Sequence, residues 1–154
     1  MACARDIMSS SVVSVSAKDS VDVVAKVFLE TRHHSVPVVD EEGRLRGIIS
    51  QEDLIDARRK VHLPTVFTLL DSFIPLGGFQ EFAHELRKAT ASTALELAST
   101  EVVTAMPDDS ADSVAEKLAH SHVHAMPVVD GENRLLGIVT RSDVLRELIQ
   151  RSRG

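Results

Sequence analysis

Two short segments carry the residue types best suited to holding a ligand. Gly47-Ile48-Ile49-Ser50-Gln51-Glu52-Asp53 and Gly137-Ile138-Val139-Thr140-Arg141-Ser142-Asp143 follow one pattern: glycine, two aliphatic residues, a hydroxyl residue, two variable positions and an aspartate. A hydroxyl followed three residues later by an acid is a capping box, which satisfies free amides at a helix start and binds nothing. The same geometry also suits a ribose phosphate. The amides and positive dipole end of a helix N-terminus attract phosphate. The hydroxyl can donate to a phosphate oxygen, and the aspartate can accept from two vicinal ribose hydroxyls. The motif alone favours the plain cap; its occurrence at two matching places shifts the balance toward a site.

The motif belongs to a longer duplication. Residues 5–55 align with 95–145 at an offset of 90 without a gap, and 19 of the 51 pairs are identical. Pro37-Val38-Val39-Asp40, Arg44-Leu45, Gly47-Ile48 and Asp53 recur as Pro127-Val128-Val129-Asp130, Arg134-Leu135, Gly137-Ile138 and Asp143. A repeat fixes architecture first. Each copy is about 50 residues, near the lower limit for an independent core, so the halves should pack on each other.

Each copy reads as strand, helix, strand, strand, helix. Val12–Val15 is a short β-rich run, and Asp19 or Ser20 offers an N-cap for a helix reaching about Arg32. In the second copy Ala111, Val114, Ala115, Leu118 and Ala119 share one helical face. Val36–Val39 is apolar on both faces, as a buried strand is. Glu41-Glu42-Gly43 and Gly131-Glu132-Asn133 are turns, and second helices begin at Gln51 and Arg141. Between the copies lies an apolar stretch with Phe67, Phe73, Phe79 and Phe82, which reads as a helix from about Thr65 to Phe73 and another from about Gln80 to Leu97. Such a surface needs cover, on its own globule or in a homodimer.

This spaced pattern, seen twice, resembles the CBS domain, named after cystathionine β-synthase, and two in tandem resemble a CBS pair, or Bateman module. The connector resembles the helical insert of some stand-alone bacterial CBS-pair proteins. The resemblance implies an α+β fold: two pseudo-symmetric β-α-β-β-α repeats packed as one pair, repeat 1 at 5–58, a helical insert at 59–94 and repeat 2 at 95–150. It further implies a non-catalytic regulatory module. Clefts between the repeats would bind AMP, ADP, ATP or a related adenosyl compound, and a partner would receive the signal.

By the same resemblance, the hydroxyls of Ser50 and Thr140 meet phosphate and Asp53 and Asp143 meet ribose. His34, Ser35 and Val36, with His124, Ala125 and Met126, line the clefts before the buried proline, and Val12-Val13 and Val102-Val103 clasp adenine through backbone groups. No cofactor is obligatory, and magnesium would accompany ATP. Family members often dimerise, so a homodimer is expected, together with an effector protein whose identity is open. The alternative is a dimerisation scaffold with vestigial clefts.

The copies differ at their motifs. Arg141 adds a cation to the second, whereas Gln51 and Glu52 stand in the first, so the Thr140/Asp143 motif is expected to bind a phosphate more tightly. With no Trp or Tyr in the chain, adenine would rest on aliphatic side chains. His120, His122 and His124 alternate in a way that could chelate a metal, but at a helix C-terminus they serve the dipole equally well, and no metal site is assigned.

Composition limits the other classes. At 44% hydrophobic and 26% charged the chain is ordinary globular protein, and a net charge of −6 argues against duplex nucleic acid as a partner. The single cysteine, Cys3, cannot form an internal disulfide, and the N-terminus lacks an apolar signal core, which together point to the cytoplasm. No stretch approaches the roughly 20 apolar residues of a membrane span. No nucleotide-binding glycine loop, catalytic Cys–His pair or spaced acid–base pair predicts an enzyme.

Overall fold

The computed structural model describes residues 2–59 and 93–154. The sequence-predicted insert helices fall mainly at 60–92 and lie outside the described residues.

Each copy opens with a single helical turn that its cap explains. Helix α1 (Ala4–Ile7) starts after Cys3, whose backbone amide and thiol both donate to Asp6 Oδ2. In the first copy, strand β1 (Val15–Ser16), helix α2 (Val21–Thr31), strand β2 (Ser35–Val39), strand β3 (Leu45–Ser50) and helix α3 (Gln51–Arg59) follow. In the second copy, helix α4 (Ala94–Leu97) is followed by helix α5 (Ala111–Ser121), strands β4 (Ala125–Val129) and β5 (Leu135–Thr140), and helix α6 (Arg141–Arg153). The expectation of one helix running from Gln80 to Leu97 is corrected at its end. Thr93 is extended (φ −90°, ψ 165°), and its hydroxyl accepts from the Glu96 amide, so α4 is a fresh start.

The first strand is shorter than the β-rich run suggests. Val15 and Ser16 pair in parallel with Val38 and Val39, and the Ala17 amide donates to the Val39 carbonyl. In the second copy this strand shrinks to an isolated bridge between Ala105 and Val128. The position of Ala17 is occupied there by Pro107, which has no N–H to extend the ladder. Strands β4 and β5 form an antiparallel hairpin, Ala125 opposite Thr140, with an irregularity between Val128 and Val129. The left-handed turn position is Gly43 (φ 77°) in one hairpin and Asn133 (φ 64°) in the other, two residue types that tolerate it.

The described fold is two compact units, each built from parts of both copies. One comprises Met1–Val13, Glu41–Leu45 and Glu101–Gly154, the other Ser14–Asp40 and Arg46–Thr100. The core of the first gathers Val114, Leu118, Met126, Val128, Val139 and Val144 from the second copy around Ala4, with Ile7 and Met8 against it. The core of the second gathers Val21, Val24, Phe28, Val36, Val38, Ile49 and Leu54 around Ala94, with Leu97 and Ala98 against it. Each copy therefore lends its opening turn to the core of the other. Among the α5 residues assigned to one face, Ala111, Val114 and Leu118 are buried, but Ala119 is exposed because the buried stripe is narrower than the apolar one.

Candidate functional site

Both motifs form the capping box their spacing predicts. At α3 the Ser50 amide and hydroxyl donate to Asp53 Oδ2 at 2.7 and 2.9 Å, while the Asp53 amide donates back to Ser50 Oγ at 3.1 Å. At α6 the Thr140 amide and hydroxyl both donate to Asp143 Oδ2 at 2.8 Å, and the Asp143 amide donates to Thr140 Oγ1 at 3.3 Å. In each, one carboxylate oxygen is committed to the cap. The other oxygen lies outside the cap.

The residue after the hydroxyl is a clamp. The Gln51 amide donates to the His34 carbonyl at 3.0 Å and its Nε2 to the His33 carbonyl at 3.2 Å. The Arg141 amide donates to the His124 carbonyl at 3.4 Å and its Nε to the Val123 carbonyl at 3.1 Å. Gln51 and Arg141 thus hold the loop before the buried strand in the same way, and Arg141 has a structural duty besides any phosphate contact. That clamp brings His34 and His124, both exposed, beside the helix starts. Ser35 is half-buried, whereas Ala125 is buried and the side chains of Val36 and Met126 lie wholly inside the two cores. What these strands show to solvent near the motif is therefore mainly the histidines.

The motif glycine is a seat for the exchanged segment. A Cβ on Gly47 would lie 2.8 Å from Ala98 Cβ and 2.9 Å from the Ser99 carbonyl oxygen; one on Gly137 would collide with Met8 Sδ and lie 2.8 Å from the Ser9 carbonyl oxygen. The backbones meet there: Ser9 and Ile138 exchange amide–carbonyl bonds of 2.9 and 3.0 Å, and Ser99 and Ile48 do the same at 2.9 and 3.0 Å. Ser9 and Ser99 were not singled out from sequence, although their identity across the repeat was a signal. Beyond them run Val12-Val13 and Val102-Val103, with Val13 and Val103 exposed at 36% and 37%, a matching pair of apolar side chains left in water.

The aspartates differ in what meets the second oxygen. Arg146 Nη1 lies 3.1 Å from Asp143 Oδ1, an ion pair one turn along α6. Among the described residues nothing donates to Asp53 Oδ1. The histidines do not converge: His120 Nδ1 lies 2.8 Å from the Glu116 carbonyl oxygen, and His122 is the left-handed C-cap of α5. No group of three metal-ligating side chains occurs among the described residues.

This doubled arrangement coincides with a family model. The model for the CBS domain matches residues 4–60 and again 94–150. The chain belongs to the CBS domain family. An uncharacterised protein of Methanocaldococcus jannaschii is 29% identical over 154 residues, covering 94% of this chain and 90% of its own. The L-aspartate semialdehyde sulfurtransferase of the same organism is 27% identical over 142 residues, but the chain spans only 22% of its length. Among solved structures, the CBS-pair protein CBSX2 of Arabidopsis thaliana, crystallised with AMP, is 21% identical and aligns over 99% of both chains with a TM-score of 0.75. At that identity it shows the shared fold alone. The CBS domain pair of protein MJ0100, in complex with 5′-methylthioadenosine and S-adenosyl-L-methionine, is 25% identical over 98% of both chains with a TM-score of 0.69.

Proposed function

We propose that this CBS pair is a non-catalytic regulatory module that binds an adenine nucleotide or related adenosyl compound at its two motifs and hands the signal to another chain. The observation that carries the reading is the same capping-box arrangement at the two matching helix starts. In each, a hydroxyl and a carboxylate with one oxygen outside the cap stand at a helix start. A ribose fits the carboxylate and a phosphate the amides. Ser50, Asp53, Thr140, Arg141, Asp143, His34 and His124 are the side chains nearest that role. The solved relatives support it: one CBS pair was crystallised with AMP and another with methylthioadenosine and S-adenosylmethionine. Small CBS pairs within longer, enzyme-named relatives fit a regulatory rather than a chemical contribution. Output then runs through an effector protein or a homodimer in the cytoplasm, with magnesium present if the ligand is ATP.

The test is a thermal-shift panel of AMP, ADP, ATP, NAD and S-adenosylmethionine, with and without magnesium, checked by calorimetry. Ligand at 100 times its Kd adds about 2.7 kcal/mol of stability. A selective rise lost in the Asp53→Ala/Asp143→Ala double variant supports the reading. A flat panel refutes it and leaves a scaffold.

A further inference from the structure

We infer that the outward face of α6 is a docking surface for an acidic amphipathic helix of another protein, with Leu148 and Ile149 as its apolar anchors. The surface goes beyond the adenosyl reading and needs no ligand to exist. It gives the chain a place at which a partner can be held.

Helix α6 has two sides of different kind. Val144 is buried in the core of its unit, and the Glu147 side chain stays at 17% exposure, ion-paired with Arg151. On the outward side Leu145, Leu148 and Ile149 stand at 57%, 44% and 52% exposure. Their i, i+3, i+4 spacing sets them side by side in one stripe. Single exposed leucines are ordinary, but a contiguous apolar stripe rimmed by polar groups marks an interaction surface.

The repeat shows that the fold does not demand this stripe. Continuing the offset of 90, Leu145 corresponds to Ile55, but Leu148 and Ile149 correspond to Arg58 and Arg59. The matching helix of the first copy therefore carries cations where α6 carries its anchors. Apolar residues at 148 and 149 leave side chains in water for no gain within α6 itself.

Charge selects the occupant. Helix α6 holds four arginines against Asp143 and Glu147, a net of +2 on a chain of −6. Arg146 pairs with Asp143, and Arg151 with Glu147 and Asp112, so these charges are met locally. Arg141 and Arg153 meet no carboxylate among the described residues, and they bracket the stripe at the two ends of the helix. An apolar stripe between two uncompensated cations complements a helix with an apolar face and acidic flanks. A second copy laid on the same face by a two-fold axis sets arginine against arginine. A bilayer is the poorer fit, since Val144 ties α6 to its core and the helix has no aromatic residue.

The test is fluorescence anisotropy of a labelled, helix-prone peptide of about 15 residues, with leucines in an i, i+3, i+4 stripe and glutamates on its flanks, titrated with the intact chain. The acidic peptide is expected to bind saturably, and a version with lysine for every glutamate is expected not to bind. Leu148→Ala/Ile149→Ala should weaken the acidic peptide at least about tenfold. Arg153→Glu should weaken it about threefold, an effect that fades at high salt. Both anchors are exposed and alanine is the best helix former, so the double variant should melt like wild type. Anisotropy flat up to about 1 mM protein, or equal binding of the lysine version, overturns the proposal. So does a clearly lowered melt of the double variant, which would show the stripe covered within the chain. A dimer in sedimentation that the double variant abolishes would assign the face to a second copy, and binding to phosphatidylserine vesicles in place of the peptide would assign it to a membrane; either overturns it. No nucleotide enters the titration, so a flat nucleotide panel leaves its result standing.

Discussion

Asp109 braces the loop before α5 much as Asp19 braces the loop before α2, but with a cation added. Asp19 Oδ2 accepts from the Ser16 amide at 2.8 Å, and Asp109 Oδ2 accepts from the Met106 amide at 3.1 Å. Lys117 then reaches Asp109 at 2.8 Å from the position held by Val27 in the first copy. The Lys117 hydrogen bond, followed by the Met106 amide, holds the Asp109 carboxyl below its ordinary value of 3.8. A depressed folded-state pKa stabilises the fold above the unfolded value, and that contribution is lost as pH falls through the folded one. Denaturant midpoints measured from neutral pH down to about pH 3 should therefore fall less steeply on the acid side in Lys117→Met than in wild type. A parallel displacement of the two curves would assign Lys117 a packing role only. The Ser50–Asp53 and Thr140–Asp143 caps were legible in the sequence, because a capping box is local and its partners are three residues apart. The Lys117 contact was not, since it depends on the helix lying across the loop.

At the scale of elements, the motif glycines decide where the exchanged segments lie. Gly137→Ala should destabilise the protein by about 1–3 kcal/mol, because the new methyl meets the Ser9 carbonyl and the Met8 side chain. Met8→Ala in the same chain should recover only part of that loss, since the Ser9 carbonyl is backbone and cannot give way. Thermal and denaturant unfolding of the single and double variants measures this; full recovery would place the clash on Met8 alone. The glycines read from sequence as the opening of a ligand motif, and the structure gives them this second use. Helices α2, α3, α5 and α6 and the buried strands were legible from caps and apolar patterning. The turn α1 was missed because a single turn leaves no periodicity, only its capping spacing, and α4 was read as the end of a longer helix for the same reason. Pro107 explains why the first strand of the second copy fades to a bridge, a consequence of one absent N–H.

On the scale of the whole molecule, the exchange of opening turns means that neither repeat holds a complete core. Ala4 is fully buried among second-copy residues, and Ala94 among first-copy residues. A fragment of residues 95–154 should therefore lack a cooperative unfolding transition, and a peptide of residues 1–13 added in trans should restore protection of the β4–β5 amides to hydrogen exchange. Cooperative unfolding of the fragment alone would show that Ala4, Ile7 and Met8 are dispensable to that core.

The sequence by itself determined the repeat, the strand and helix types, the buried strands and the two helix-start boxes, because each is written in neighbours a few residues apart or in a match at a fixed offset. Only the tertiary structure decided which segment seats on which glycine, that the opening turns are exchanged, and that Arg146 pairs with Asp143 while Asp53 Oδ1 stays open among the described residues. These depend on which oxygen a side chain reaches and on which surfaces remain to be covered once the local elements have formed, and neither quantity is carried by spacing along the chain.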